Sequence, residues 1–383
     1  MSALRAYSLV QKRALPLRLA RVPIYSLSVH ADYRCRHSGV CCSTDWDIPV
    51  EVPIYHSLRE ALNSRRIRAE APFLTVHAPP DGAAAILRRD KGTCVFFEHE
   101  TRLCGVHREL GEAALPATCR LFPWISLRDR RGTFITLSHY CPTAAGMLFR
   151  EDLPLSIVEN PPAFPEGEYE GLNAHGAWSP LLHPAVLMDE EGYGAWEQHA
   201  VDVFASNLSP DAAIATLARD VELLRTWQPG SGSLATAIAQ LPERSQASQR
   251  STEIDESARL FETVVAAVPE ELKPAPLESA VSSRYPDLVA KWLDEFGRPV
   301  NRYLAAHAFA SWCSYQGHGL RSFMCSLETA LAVLRVESTR VCARAGRPLD
   351  RDLLIEAVRA ADLLLRHSAD RQALADIWSR SET

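Results

Sequence analysis

Seven cysteines crowd into the stretch between Tyr33 and Pro142 of this 383-residue chain: Cys35, Cys41, Cys42, Cys94, Cys104, Cys119 and Cys141. The other three, Cys313, Cys325 and Cys342, come much later. The basic start of the chain is not followed by an apolar signal core with a small-residue cleavage site. The thiols are therefore expected in a reducing cytoplasm, where a cysteine cluster serves metal binding or catalysis more often than a disulfide framework. The late three fall in helical patterns such as residues 305–313 and read as small core hydrophobes.

The densest element is Cys35-Arg36-His37-Ser38-Gly39-Val40-Cys41-Cys42. Thiolates bind soft and borderline metals, and Gly39 lets the backbone turn so that several sulfurs converge. Cys94 and Cys104, with nine residues between them, then Cys119 after Pro116 and Cys141 before Pro142, bring more sulfur from hairpin ends and loops. Structural zinc takes four tetrahedral ligands and a cubane iron–sulfur cluster usually four thiolates, so seven exceed one site. Either some are bystanders or there are two sites. Neighbours in an extended strand point to opposite faces, so of Cys41 and Cys42 one is expected to ligate while the other packs, or the two serve separate centres. His37, His107 and His139 are nearby nitrogen donors, although a histidine more commonly hydrogen-bonds than ligates. Arg120 beside Cys119 and Arg108 beside His107 are placed to balance thiolate charge or to bind phosphate or carboxylate.

Length alone suggests two to three units, at about 150 residues each. The first 31 residues hold Arg5, Lys12, Arg13, Arg18 and Arg21 and no acidic residue, and read as a basic arm over 1–32. A turn-rich module follows over 33–150. Within it, residues 84–97 predict a hairpin with Cys94 in its second strand, residues 122–138 a second hairpin that delivers Cys141, and residues 105–111 a short helix stopped by Gly111. Residues 151–240 read as a Pro- and Gly-rich irregular connector, then helix. Residues 189–197 mix carboxylates with aromatics and read as an exposed acidic loop leading into a helix, the competing reading being a receiver for a cationic lysine, and Ser209-Pro210 starts a further helix. Residues 241–258 read as a polar linker, and 259–383 as a helical region with helices over 302–315, 320–336 and 349–367. The fold class is thus α+β: a cysteine-rich metal-binding module with short hairpins, followed by a mainly α-helical C-terminal region.

Several functions are excluded or unsupported. Lys and Arg total 41 against 47 Asp and Glu, a net charge of −6 that removes the global attraction for nucleic acid. No apolar run reaches the roughly 18 residues of a membrane span. There is no G-x-G-x-x-G after a strand, no P-loop, no H-E-x-x-H, no Ser-His-Asp arrangement and no Cys-x3-Cys-x2-Cys.

The set Cys35-x2-Ser38-Gly39-x-Cys41-Cys42, Cys94, Cys104-x2-His107 and Pro116-x2-Cys119-Arg120-x-Phe122-Pro123 resembles the CxxCxxCC cysteine-cluster family of zinc- or iron-chelating proteins, which includes the flagellin lysine N-methylases. Tyr33-x-Cys35, Trp46-x-Ile48 and Leu137-Ser138-x2-Cys141-Pro142 resemble the methylase branch in particular. Ser38 stands where the family name has its second cysteine, which shifts weight onto Cys94, Cys104, Cys119 and Cys141. The resemblance implies a bound metal, zinc or an iron–sulfur cluster of the 4Fe-4S kind, and methyl transfer from S-adenosylmethionine to lysines of flagellin or another secreted protein. The competing expectation is a non-enzymatic chelating module with a redox-sensing or adaptor role.

Overall fold

The computed structural model describes residues 22–44, 46–75, 82–90, 92–165, 167, 169, 171–243, 254–293 and 295–382. Its central hairpin follows directly from the pattern of β-branched and aromatic residues on either side of a polar turn. Trp124–Arg128 pairs antiparallel with Thr133–Leu137, in register from Thr133 opposite Arg128 to Leu137 opposite Trp124. Gly132 closes the turn at φ 153°, and a side chain there would meet the carbonyl oxygen of Pro23 at 2.6 Å. That close approach lets Ile24–Leu27 run parallel beside Thr133–Leu137. The segment read as a basic arm therefore contributes a strand to the sheet, while residues 1–21 lie outside the described residues.

The sheet has five strands, ordered Ile157–Glu159, Ile24–Leu27, Thr133–Leu137, Trp124–Arg128, Gly171–Asn173. Both edge strands come from the stretch expected to be irregular. Three residues each are too few for alternation to be visible in the sequence. All five residues of Thr133–Leu137 are buried, as a strand covered on both faces requires. The first expected hairpin is also present: Arg89 pairs with Cys94 and Asp90 with Thr93. A further small hairpin sets Phe97 opposite Cys104. The helix Gly105–Leu110 ends at Gly111, with φ 84°.

Beyond the sheet the chain is helical, so the protein is α+β. Ser209 caps Pro210–Leu224 by accepting from Ala212 N–H. The acidic segment at 189–197 is not a loop: Asp189 accepts from Gly192 N–H at 2.6 Å and starts the helix Glu190–Ala205, which buries Tyr193, Trp196 and Glu197. Leu320–Ala345 is the axis of the helical part, packed by Ile254–Ala266, Arg351–Asp362, Pro210–Leu224 and Arg371–Ser379 and closed by Gly346 in the left-handed conformation. The helix expected over 302–315 is broken. Gly297–Ala308 stops at an extended Phe309, Ala310 has φ 54°, and Cys313–Gln316 resumes. A buried carboxylate is the cause, since Glu197 Oε1 accepts the Ala310 N–H at 3.1 Å. Arg351–Asp362 continues into a π turn, Leu363–Ser368. Of the polar linker, residues 244–253 lie outside the described residues and its end is already helix from Ile254.

Among the described residues three apolar clusters result. The largest joins the sheet to the helices, through contacts such as Phe134 on Phe309. A second belongs to the cysteine-rich module and includes Ile48, Val50, Leu58, Leu87, Cys94, Phe96 and Val106. The third lies on the other face of the sheet, around Tyr33, Ile135, Leu137, Cys141 and Phe164. No helix among the described residues is long and apolar enough to cross a membrane.

Candidate metal centre

The seam between the second and third clusters is where the cysteines meet. A cavity of about 430 Å³ opens there, and Cys35, Cys41, Cys42, Cys94, Cys104, Cys119 and Cys141 all line it. Cys94 arrives on the hairpin strand Thr93–Cys94, Cys104 at the foot of the helix Gly105–Leu110, and Cys119 on the short helix Ala117–Leu121. Glu51 holds that last helix by accepting from Ala117 N–H at 2.9 Å. From the sheet side come Cys141, buried, and Cys35, exposed at the rim. The hydroxyl of Tyr33 stands 3.6 Å from Cys141 Sγ, and His37 N–H donates to Cys35 Sγ at 3.4 Å.

Cys41 and Cys42 behave differently from the expectation for an extended pair. They sit in a 3₁₀ turn, Val40–Cys42, entered through Gly39 at φ 73°. The turn brings the two sulfurs to 4.0 Å from each other. A tetrahedral zinc with Zn–S bonds of about 2.3 Å sets its sulfurs about 3.8 Å apart, so this turn presents both thiols at a spacing one ion accepts. The turn is pressed against the Cys104 hairpin by two contacts. Arg102 Nη2 donates to the carbonyl of Ser38 at 3.1 Å, and the Phe97 ring fills the space above Gly39.

Electrostatics at the sulfurs record their proximity. Hydrogen bonding with Cys42 pulls the Cys104 thiol down to about 7, opposed by burial and helped by the backbone amides of His107 and Val106. Cys41 is lowered by the same partner, whereas Cys42, the proton donor to both, is raised. Burial pushes Cys94 up to about 11, and burial followed by the neighbouring Cys41, Cys94 and Cys104 holds Cys119 well above the usual thiol range. Arg34, Arg102 and Arg120 line the same cavity and offset negative charge on it.

Other candidates divide. His37 and His107 line the cavity, their rings 4.9 Å apart. His139 does not: it is fully buried, with Nε2 3.2 Å from His30 Nε2 and Nδ1 3.2 Å from Asp362 Oδ2. Arg108 is turned outward into ion pairs with Glu98 and Glu109. Cys313 and Cys342 are buried in the helical part and Cys325 is half-buried there. The cavity walls Leu58, Leu87, Phe96 and Leu115 carry no motif and were not legible as site residues. Nor was the pair Ser138 and His367, 2.6 Å apart across 229 positions.

The donor set fits a thiophilic metal: soft sulfurs, two already spaced as co-ligands, with compensating arginines. The donors are distributed around a space wider than one ion, and among the described residues no three His, Cys, Asp or Glu side chains are grouped around a single ion position. Residues 34–142 match the family model CxxCxxCC, whose description is "putative zinc- or iron-chelating domain". No curated protein and no solved structure matches the chain.

Proposed function

We propose that residues 34–142 form a thiolate centre for zinc or iron, with Cys41, Cys42, Cys94, Cys104 and Cys119 as the donors on the module side and Cys35 and Cys141 on the sheet side. The observation that carries this reading is the convergence of seven sulfurs from five separate segments on one cavity. A bound metal would tie those segments together and, as an iron–sulfur cluster, would add one-electron redox capacity. Arg34, Arg102 and Arg120 neutralise thiolate charge, and Tyr33 sets the polarity at Cys141. Anaerobic purification with metal and acid-labile sulfide analysis tests the proposal: the protein carries stoichiometric zinc, or iron with sulfide and broad visible absorption. Protein with neither metal sinks it.

One observation favours a catalytic role beside the metal. A volume of about 430 Å³ exceeds any single ion and falls within the range of about 300–1,000 Å³ typical of small-molecule sites. The reading is methyl transfer from S-adenosylmethionine to lysines of flagellin or another secreted protein. There the cavity walls would orient a neutral amine and exclude water. Labelled S-adenosylmethionine checks it. Absence of both binding and transfer leaves a chelating module with a redox-sensing or adaptor role.

A further inference from the structure

A second, smaller cavity lies on the helical side of the sheet, lined by Cys313 but by none of the seven clustered cysteines. Its volume is about 80 Å³. At about 30 Å³ per water, that is room for two or three waters or one small anion. Its polar lining includes Arg366, Arg371, His307, Ser311, Gln316 and Ser326, and among the described residues none that lines it is acidic.

Arg371 is the unusual member. Its guanidinium sits over the Trp312 ring, with Cζ 3.9 Å from the centroid, and that indole donates from Nε1 to the Ser126 carbonyl at 3.0 Å. The guanidinium spends one donor, Nη2, on the carbonyl of Arg366 at 2.9 Å. Among the described residues it has no carboxylate partner. Arg366 already shares Asp362 with His307, through contacts of 3.3 and 3.0 Å, so that one carboxylate is committed elsewhere. The Ser311 hydroxyl and the Gln316 amide have no hydrogen-bond partner among the described residues either. A half-buried cation with spare in-plane donors, held rigid on an indole and flanked by unspent polar groups, is an arrangement that wants an anion.

We propose that this pocket binds a small oxyanion, a phosphate or the terminal carboxylate of a small molecule, on the Arg371 guanidinium with Arg366, Ser311 and Gln316 beside it. Burial, then the neighbouring Arg366, lowers Arg371 to about 10 and His307 to about 4, while Asp362 acts in the opposite sense on both. None of the cysteines assigned to the metal centre lines this pocket.

The test is titration of the full-length, metal-loaded protein with inorganic phosphate and, separately, with acetate, at ionic strength held constant with chloride. Calorimetry and the shift in melting temperature are the readouts. Saturable binding of at least one anion is expected. Phosphate alone assigns a phosphate, and acetate alone a carboxylate. Arg371→Gln weakens the binding about tenfold or more, the worth of one charge-assisted hydrogen bond. Gln316→Leu weakens it too and carries the test should Arg371→Gln fail to fold, while Arg351→Gln, on a guanidinium stacked over Phe149, changes nothing. No saturation with either anion, or equal binding in wild type and the pocket variants, overturns the proposal.

Discussion

Gly39 marks the point where two cysteine loops meet, and the space it leaves is already taken. A Cβ there would approach Phe97 Cε2 to 2.5 Å, on a backbone at φ 73° that L side chains avoid. Gly39→Ala therefore displaces the Cys41–Cys42 turn from the Cys104 hairpin. The left-handed backbone alone costs ~1–2 kcal/mol. Metal analysis and a urea titration check it, and wild-type metal content with an unchanged midpoint would refute it. Among the thiols the expectations split by location. Cys104→Ser and Cys119→Ser lower metal content, whereas Cys313→Ser, whose thiol donates to the Ser322 carbonyl, leaves it as in wild type. Equal content in all three variants counts against the ligand assignment. At this scale the sequence was informative wherever chemistry was local: clustered sulfurs and a glycine beside them announce a site. It was silent on Arg371, whose partner Trp312, 59 positions earlier, becomes a neighbour only through folding.

Elements repeat the lesson. Capped helices were legible, because Ser209-Pro210 and Gly111 act within a turn of themselves. The break at Ala310 was not, because its cause is Glu197, over a hundred positions away. The same holds for the far end of the chain. Glu382 is buried, pairs with Arg225 and accepts from Ser322 N–H at 3.0 Å, so it caps the long helix Leu320–Ala345 from outside. Glu382→Ala strands Arg225 and the helix N-terminus, and a loss of about 3 kcal/mol is expected by chemical denaturation, as for breaking other buried pairs. A change below about 0.5 kcal/mol, the size of an ordinary surface substitution, would mean the cap is idle. Acid adds a second handle on these elements. His307 and His367 are each held down to about 4, first by burial. Arg366 opposes the charge on both rings and Asp362 favours it, with His139 also facing His307 and Arg371 facing His367. Their folded values lie below the unfolded one, so the unfolded chain takes up protons that the fold refuses. Stability is full above pH about 6.5 and falls as pH drops toward 4, by up to about 3 kcal/mol per ring. A denaturation midpoint that is flat or rises over that interval would contradict this.

For the molecule as a whole, the arrangement of apolar clusters predicts how metal and fold depend on each other. The cysteine-rich module rests on a small core of its own, and the centre lies at its seam with the sheet. So small a core gains most from a metal staple. The helical cluster shares none of those buried residues. Chelation is therefore expected to open the segment up to Cys119 to limited proteolysis, while the strands Trp124–Arg128 and Thr133–Leu137, held in the helical cluster through Leu127 and Phe134, and most helical circular dichroism persist. A single concerted loss of both signals would show instead that the two cores unfold as one. Fold class was readable because composition changes along the chain, from turns and sulfur to helical periodicity. The sheet's outer strands were hidden, three residues long in a Pro-rich stretch, since pairing and not propensity holds them.

The backbone N–H of His139, two residues before Cys141, donates to the carboxylate of Asp362 at 2.5 Å, and Ser138 beside it meets His367. The loop carrying Cys141 therefore takes its final position only once the helix Arg351–Asp362, 223 positions further on at its last residue, is in place. The shape of the cysteine cavity is thereby tied to the docking of the helical region on the sheet, so that a change at Asp362 reaches Cys141 without touching a sulfur.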